Sequence, residues 1–308
     1  MTVAGHWPGC HGIRVDGGCK LGTGPTRGAP LARVRVRHVA GGQLAPGDAG
    51  TELWRRVATT PVGPAGGIAT VEQRLWRAAS GRLLVRTDRG AALAYDPGTG
   101  VLEVDATAPA TAAQLLAGIG LPLVLHDVGV LVVHAAACAR DGRAVVLCGA
   151  SGRGKSSLLV ALVDAGWEAI SEDVCAIAVR DGLAEVWPGP PWVRLGHGQR
   201  GPRGTKACFT TVDKVAWDLA ARRAQAPVAV DQVVLLEEPG GDRAWMQAVD
   251  RAALVRELAP HTVWLADPAQ RAARLFPLVV ALSRCVRSTR LRLPRSPSWL
   301  DHVPAVFA

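Results

Sequence analysis

Apolar and polar positions alternate in several short stretches of the first third of the chain. In "ARVRVRHV" apolar side chains alternate with basic ones, which predicts a β-strand with one solvated face. The stretches "RLLVRT", "AALAYD" and "GVLEVD", separated by turns that contain Gly or Asp, predict three more strands. We expect residues 1–108 to form a smaller, β-rich or mixed N-terminal domain. Its first ~30 residues, rich in Gly, Pro and Thr, are expected to be irregular and mobile.

From residue 109 the pattern changes to strands that alternate with helices, as in an α/β domain. "APATAAQLLAGIG" predicts a helix stopped by glycine, and two apolar runs around Arg140-Asp141-Gly142 predict a hairpin. "KSSLLVALVDAG" has the spacing of a helix, and "EAISEDVCAIAV" predicts a strand interrupted by charge. We expect a second domain over residues 109–308.

The remaining C-terminal segments divide into a loop, a strand and helices. "VWPGPPWVRLGHGQRGPRGT" is rich in Pro, Gly and basic residues and predicts a long loop. "DQVVLLEE" predicts a further strand, and the tail from Leu254 is expected to be largely helical.

Composition is that of a globular protein with a basic surface. Of the 308 residues 49% are hydrophobic and 20% are charged, with a formal net charge of +9. This charge favours anionic partners such as nucleotides, acidic peptides, nucleic acid or a membrane surface. Signal-peptide features are missing from the start, and we find no apolar run of the ~18 residues that a membrane span needs. We therefore expect a cytoplasmic protein without a membrane span.

The cysteines predict neither disulfides nor a metal site. The sequence has seven cysteines and no CxxC pair, which favours a reducing compartment. His6, Cys10, His11 and Cys19 lie close in sequence, but their spacing fits no common zinc pattern.

The stretch "CGASGRGKSSLL", near the middle of the chain, carries the strongest chemical signal. It fits the phosphate-binding pattern GxxxxGK[ST], in which glycines let backbone N–H groups point at phosphate oxygens. Lys155 would supply a positive charge to the outer phosphates, and the Ser156 hydroxyl a ligand for Mg²⁺. The expected nucleotide-binding residues of this loop are Gly149, Ala150, Ser151, Gly152, Arg153, Gly154, Lys155, Ser156 and Ser157.

Two further groups of charged residues follow the loop. Glu172 and Asp173 come after one predicted helix and a return to a strand, which can bring them beside the loop. Alternatively they are a charged pair on an edge strand. Basic side chains then cluster after the acidic pair. They would act as clamps on phosphate or on an acidic acceptor, or they belong to a solvated loop without such a role. These are Arg194, Arg200, Arg203, Lys206 and Lys214.

The segment "VHAAACARDGRAVVLCGASGRGKSSLLVALVDAGWEAISEDVCAI" resembles the catalytic core of the HPr kinase/phosphorylase family. It is more similar to the HPr-kinase-like proteins of ribosomal peptide clusters, including the lasso-peptide kinases. "WPGPPWVRLG" is similar to the proline-rich stretch of that family, and the resemblance covers residues 120–240. It implies a P-loop domain of the HPr kinase and phosphoenolpyruvate carboxykinase type, with ATP and Mg²⁺ as cofactors.

The resemblance also implies roles for single residues. His134 matches the active-site histidine, and Lys155 and Ser156 match the phosphate and Mg²⁺ positions. Glu172 stands where the family has the aspartate that accepts the proton, and Asp173 matches the second, metal-side aspartate. The longer side chain of Glu172 leaves open which of the two acids is the base. "WVRLG" keeps Arg194 but lacks the glutamate of the family's Glu-x-Arg-Gly metal motif, so neither a reverse phosphorylase activity nor HPr as substrate is carried over.

These features favour an ATP-dependent kinase that transfers the γ-phosphoryl group to a hydroxyl, with a serine on a peptide or protein as the first choice. A nucleotide-binding regulatory module, an ATPase without acceptor and a small-molecule kinase stay open as alternatives. Strand edges of the N-terminal domain could bind an extended peptide. Nucleic acid is the less favoured anionic partner, and a homo-oligomer is compatible with the sequence.

Overall fold

The structure is a computed structural model that describes residues 10, 11, 13–16, 31–39, 44, 50–62, 67–211, 213–265, 268–294 and 307. These residues form a mixed α/β fold with two large sheets, a three-stranded sheet and few helices. The mixed class is therefore confirmed. Most of the first 30 residues, including His6 and Cys19, lie outside the described residues.

The N-terminal part forms a seven-stranded sheet of order β1-β2-β7-β6-β5-β4-β3. Its strands are β1 Ile13–Asp16, β2 Ala32–His38, β3 Thr51–Val62, β4 Gly67–Arg77, β5 Leu83–Thr87, β6 Ala92–Asp96 and β7 Val101–Asp105. The four predicted strands are confirmed as β2, β5, β6 and β7. In β2 the valines Val34 and Val36 are buried and the arginines are exposed, as the alternation predicts. The expectation of irregular structure is wrong for β1, which pairs in parallel with β2.

A continuous helical segment follows this sheet, made of α1 Pro109–Leu115, a π-helical turn Leu116–Gly120 and α2 Leu121–Asp127. The predicted stop at Gly120 is wrong, because this glycine stays helical. A Cβ at Gly120 would lie 2.8 Å from Leu93 Cδ1, so glycine there permits close packing on β6.

By length and composition this helical segment meets the requirements for crossing a membrane, contrary to the expectation from sequence. It has 19 residues and a mean hydropathy of 1.3. However, 72% of it is buried inside the protein, as in the core helix of a globular domain.

A nine-stranded sheet forms the centre of the second part, in the order β11-β9-β10-β17-β13-β12-β8, with β19 between β17 and β18. Its strands are β8 Leu131–Val133, β9 Ala135–Arg140, β10 Arg143–Cys148, β11 Glu168–Ser171, β12 Cys175–Arg180, β13 Leu183–Trp187, β17 Val228–Leu236, β18 Trp245–Ala248 and β19 Arg287–Arg292. The hairpin at Arg140-Asp141-Gly142 is confirmed between β9 and β10. "EAISEDVCAIAV" is not one interrupted strand, because β11 pairs with β9 whereas β12 pairs with β8 and β13.

Helices cover both faces of this sheet. Val145 and Leu147 of β10 pack against α3 (Lys155–Asp164), and the alternate residues of β10 pack against α4 (Arg251–Leu258) and α5 (Arg271–Cys285). Each face of β10 is therefore buried, which explains its continuous apolar run. In the described part of the chain 3₁₀ turns also occur, at Ala220–Arg222, Ala259–His261 and Pro268–Gln270.

A three-stranded sheet of order β14-β16-β15 lies beyond α3. Its strands are β14 Trp192–Gly196, β15 Ala207–Thr210 and β16 Lys214–Asp218. The segment predicted as a long loop therefore contains β14, because its pairing partner β16 lies some twenty residues further on and local sequence cannot show it. The expectation of a helical tail is likewise wrong for β19, which pairs in parallel with β17.

Candidate active site

The glycine-rich loop lies between β10 and α3, in the strand–loop–helix order that a phosphate-binding loop requires. Gly149 has φ +156°, and a Cβ there would lie 2.9 Å from the Leu236 carbonyl oxygen at the end of β17. Gly154, with φ +88°, begins α3, and no side chain caps that helix end. The first N–H groups of α3 are therefore open to an anion.

Lys155 is folded along this loop. Its ammonium group donates hydrogen bonds to the carbonyl oxygens of Gly149, at 2.7 Å, and Ala150, at 3.0 Å. Burial lowers the pKa of Lys155, and the charges of Asp173 and Glu172 act against this shift. An ammonium group has three hydrogens, so one remains for an oxygen of a ligand.

Ser156 joins the loop to the acidic pair. Its hydroxyl donates to Oε1 of Glu172 at 2.8 Å, and the glutamate side chain is only 4% exposed. Both acids lie in the connection from β11 to β12. There the chain leaves the strand that pairs with β9 and enters the strand that pairs with β8 and β13. The sequence assigns the metal-side role to Ser156 and Asp173, but the acid in contact with the Ser156 hydroxyl is Glu172.

Asp173 is held by a cation on one side and a histidine on the other. Its Oδ2 accepts a charge-assisted hydrogen bond from Nη2 of Arg194, and its Oδ1 lies 3.3 Å from Nδ1 of His134. The same His134 nitrogen lies 2.9 Å from the Asp173 carbonyl oxygen. Because both neighbours are acceptors, Nδ1 carries the proton. Asp173 has φ +71°, a strained conformation of the kind that is common at functional sites.

The pKa values of these groups follow from burial and from the surrounding charges. Burial raises the pKa of Asp173, but Arg194, His134, Lys214 and Lys155 outweigh it and bring the pKa to about 2. Burial lowers the pKa of His134, and Lys155 adds to this effect against the attraction of Asp173. At neutral pH Asp173 is therefore ionised and His134 is neutral.

A groove of about 570 Å³ borders the loop at Ala150 and Arg153. Its size is typical of sites for a molecule as large as a nucleotide. Carboxylates and guanidinium groups in it are paired, with Arg153 2.9 Å from Glu238 and Arg292 2.7 Å from Glu237. The groove is lined by Ala150, Arg153, Leu236, Glu237, Glu238, Gly240, Gly241, His261 and Arg292.

Most of this groove could not be found from the sequence. Glu237 and Glu238 directly follow β17, and Arg292 is the last residue of β19. The parallel pairing of β10, β17 and β19 brings these strand ends to one edge, although they lie far apart in the chain.

The structure separates the basic residues that follow the acidic pair. Arg194 contacts both acids, because its backbone N–H and Nε lie 3.3 and 3.7 Å from Oε2 of Glu172. Lys214 pairs in register with Gly196 and is close enough to lower the pKa of Asp173.

The other three basic residues are exposed. Lys206 is exposed, with its carbonyl oxygen bonded to the N–H of Asp218, and its role in binding a nucleotide stays a prediction. Arg200 is exposed as well, and Arg203 lies near Asp164. Arg200 and Arg203 lie in the connection from β14 to β15, and their role as clamps on phosphate also stays a prediction.

No group of three or more His, Cys, Asp or Glu side chains in the described part of the chain could hold a metal ion. Mg²⁺ does not need such a group, because it usually keeps several waters and takes one or two carboxylates together with phosphate oxygens. The hydroxyl of Ser156 beside Glu172 fits that kind of site.

No protein-family model matches the chain, and no curated protein matches it. Among solved structures the Hpr(Ser) kinase/phosphatase from Coxiella burnetii is similar, with 12% sequence identity and a TM-score of 0.33. The match covers 57% of this chain and 95% of that chain. A likeness this distant supports no inference about the site, and the resemblance to lasso-peptide kinases stays a prediction.

Proposed function

We propose that the chain is an ATP- and Mg²⁺-dependent phosphotransferase that phosphorylates a hydroxyl group, with a serine of a peptide or protein as acceptor. The observation that carries the proposal is the hydrogen bond of the Ser156 hydroxyl to Glu172, next to Asp173. Binding a nucleotide requires only the loop, whereas a carboxylate on the metal-binding hydroxyl and a second one beside it suit phosphoryl transfer.

Ser156 and Glu172 are the residues that would hold Mg²⁺. When bound there, the ion neutralises negative charge on the phosphates. Glu172 accepts from the Ser156 hydroxyl and from the backbone N–H of Arg194, so its carboxylate is fixed in orientation before any ligand binds. Lys155 and the first N–H groups of α3 would bind phosphate oxygens from the opposite side.

Asp173 takes the role of the proton acceptor in this proposal. Its Oδ2 is bonded to Arg194, which leaves Oδ1 to accept a hydrogen bond from the acceptor hydroxyl. A carboxylate with a pKa of about 2 is a weak base, but the transition state of phosphoryl transfer is loose and the hydroxyl can lose its proton late. Asp173 would therefore orient the hydroxyl first and take its proton afterwards, while neutral His134 holds Oδ1 in place.

A peptide acceptor is supported by the form of the N-terminal sheet. β3 is one edge of that sheet and has 12 residues, and an extended peptide can pair with such an edge through main-chain hydrogen bonds.

One observation favours an ATPase without acceptor as the second candidate. The ion pair of Asp173 with Arg194 lowers the basicity of the acid that would receive the proton of an acceptor, and water can replace the acceptor. A small-molecule kinase has no observation in its favour beyond the site that all three functions share.

The test compares two acidic substitutions in an assay with ATP, Mg²⁺ and serine-containing peptides, read by mass spectrometry for an added phosphoryl group. Asp173→Asn should lower the transfer rate by about 10²–10⁴-fold with nucleotide affinity retained. Glu172→Gln should also raise the Mg²⁺ concentration needed for half-maximal activity, because it removes a metal-side carboxylate.

Glu168→Gln is the matched control, because Glu168 is an exposed acid on β11, just before the acidic pair, and it should be active. Full activity of Asp173→Asn would refute its role as proton acceptor. Release of phosphate with every peptide, and no phosphopeptide, would favour the ATPase.

A further inference from the structure

The backbone of His261 is fixed beside the candidate active site. His261 ends the 3₁₀ turn Ala259–His261, and its carbonyl oxygen accepts a hydrogen bond from the His134 N–H at 2.7 Å. At the other end of the turn, the carbonyl oxygen of Ala259 accepts from Nη2 of Arg271 on α5 at 3.2 Å. On the side of the turn these bonds use main-chain atoms only, so they do not depend on the His261 side chain.

The side chain of His261 is available to a ligand. The residue is partly exposed and borders the groove together with Ala150 and Arg153 of the glycine-rich loop. None of the hydrogen bonds in the described part of the chain involves its imidazole ring. A ligand that lies on the loop and extends into the groove therefore passes His261, whose neutral ring can donate one hydrogen bond and accept one.

The surroundings of this ring carry positive charge. Burial lowers the pKa of His261, and the ring is near enough to Lys155 and His134 for their charges to lower it further. Glu172 and Asp173 act on Lys155, but neither contributes to the shift of the His261 pKa. At neutral pH the ring is therefore neutral, and it lies in a field that attracts an anion.

The groove does not oppose an anion at this position. Its two carboxylates are paired, Glu238 with Arg153 at 2.9 Å and Glu237 with Arg292 at 2.7 Å. No other carboxylate borders the groove among the residues that the structure describes. A loop of the pattern GxxxxGK[ST] binds the phosphates of a nucleotide, so a triphosphate is the anion to expect beside His261.

We propose that His261 binds the triphosphate of the nucleotide and takes up a proton from solvent as the triphosphate binds. This inference rests on the proposed function. It adds a binding residue that the sequence did not reveal, and a dependence of nucleotide binding on pH.

The uptake of a proton follows from the change of charge around the ring. Phosphate oxygens beside His261 offset the charge of Lys155 and favour the imidazolium form, which donates a charge-assisted hydrogen bond. The pKa of His261 lies below its ordinary value of 6.5 in the free protein and should be higher in the complex. Affinity for the nucleotide should therefore rise as the pH falls through the pKa of the complex, and level off below the pKa of the free protein.

The experiment measures the binding of AMP-PNP, an ATP analogue that resists phosphoryl transfer, with Mg²⁺ by isothermal titration calorimetry. Buffers with different enthalpies of ionisation give the number of protons taken up. At neutral pH the wild type should take up more protons than His261→Gln, and the variant should have a Kd about tenfold higher or more, because glutamine cannot carry the charge of an imidazolium. His38→Gln, at an exposed position of β2, is the matched control and should bind as the wild type does.

Inorganic triphosphate with Mg²⁺ identifies the part of the nucleotide that His261 binds, because it has no nucleoside. Its Kd should rise in His261→Gln by a factor similar to that for AMP-PNP. An unchanged Kd for triphosphate, together with weaker binding of AMP-PNP, would place the ring against the nucleoside and overturn the inference. Weaker binding of both ligands with unchanged proton uptake would overturn it as well.

A second readout needs no variant that might fail to fold. The ring nitrogens of ¹⁵N-labelled His261 in the wild-type protein should show the NMR chemical shifts of an imidazolium when AMP-PNP and Mg²⁺ are added. If the protein binds AMP-PNP and the ring stays neutral, the inference is wrong and the proposed function stands. If the ring is protonated on binding but ATP phosphorylates no acceptor, the inference stands and the proposed function fails. A wild type that binds neither AMP-PNP nor triphosphate would refute both.

Discussion

At the scale of single residues, Arg194 determines how the two acids differ. It bonds to the Asp173 carboxylate through its guanidinium group and to Glu172 mainly through its backbone N–H. Glu172 also holds the Ser156 hydroxyl, whereas Asp173 faces His134. Two neighbouring acids thus acquire different surroundings, which is the usual way for a site to separate the roles of two carboxylates.

His11 should make the stability of the protein depend on pH. Its pKa is about 3 in the folded chain against an ordinary value of 6.5. Between these values the unfolded chain binds a proton that the folded chain does not, so this contribution to stability is complete above pH 6.5 and is lost as the pH falls toward 3. Below pH 6.5 the free energy of unfolding should fall less steeply with decreasing pH in His11→Asn than in the wild type. The two slopes should differ by about 1.4 kcal/mol per pH unit.

Urea titrations between pH 4 and 7 would measure this difference, a range set by the two pKa values. His38→Asn is the control, because His38 is exposed on β2. Parallel curves for His11→Asn and the wild type would mean that His11 titrates normally in the folded protein.

At the scale of elements, the junction between β13 and β14 holds the segment of Cys10 and His11 in place. The Gly189 N–H donates to the carbonyl oxygen of Ile170 on β11, and the neighbouring Pro188 accepts from His11. A side chain at Gly189 would collide with Ser171 Oγ and would lie 2.8 Å from His11 Cε1. The proline-rich connection thus packs closely against both β11 and the segment of Cys10 and His11.

Gly189→Ala should therefore destabilise the protein by about 1–3 kcal/mol, because an added methyl group has no room in a packed site. Gly196→Ala is the control, since the nearest atom to its Cβ would be Gln199 Oε1 at 3.5 Å. Thermal unfolding of both variants would measure the effect. Equal melting temperatures for Gly189→Ala and the wild type would show that Ser171 and His11 can move aside.

At the scale of the whole molecule, one hydrophobic core joins the two parts that the sequence divides at residue 108. The helical segment packs between the sheets, with Leu93 and Leu102 of the first sheet, Leu121 of α2, and Val132 and Ala176 of the second sheet in one cluster. The hydroxyl of Tyr95 also donates to Asp127 at 2.6 Å. The two parts therefore share one apolar cluster, although the second part also has two clusters of its own.

We expect the chain to unfold in a single cooperative transition. Separate domains would give two transitions, but a shared core couples the parts. Scanning calorimetry tests this expectation by comparing the calorimetric with the van't Hoff enthalpy, which should agree. Two resolved transitions would support independent domains with a boundary near residue 108.

The sequence by itself determined the elements whose signal is local. The alternation in β2, the apolar runs of β9 and β10, the turn between them and the glycine-rich loop before α3 all depend on neighbouring residues, and the structure confirms each of them. The sequence also placed the acidic pair after one helix and a return strand. The HPr kinase type of domain and the roles of His134, Lys155, Glu172 and Asp173 remain predictions.

Only the tertiary structure decided which distant groups meet. Glu172 rather than Asp173 contacts Ser156, Lys214 lies near enough to lower the pKa of Asp173, and His11 lines a cavity together with both acids. Strands β14 and β19 and the helix that continues through Gly120 were missed for the same reason. Their stability comes from partners far away in sequence, and local propensity carries no information about such partners.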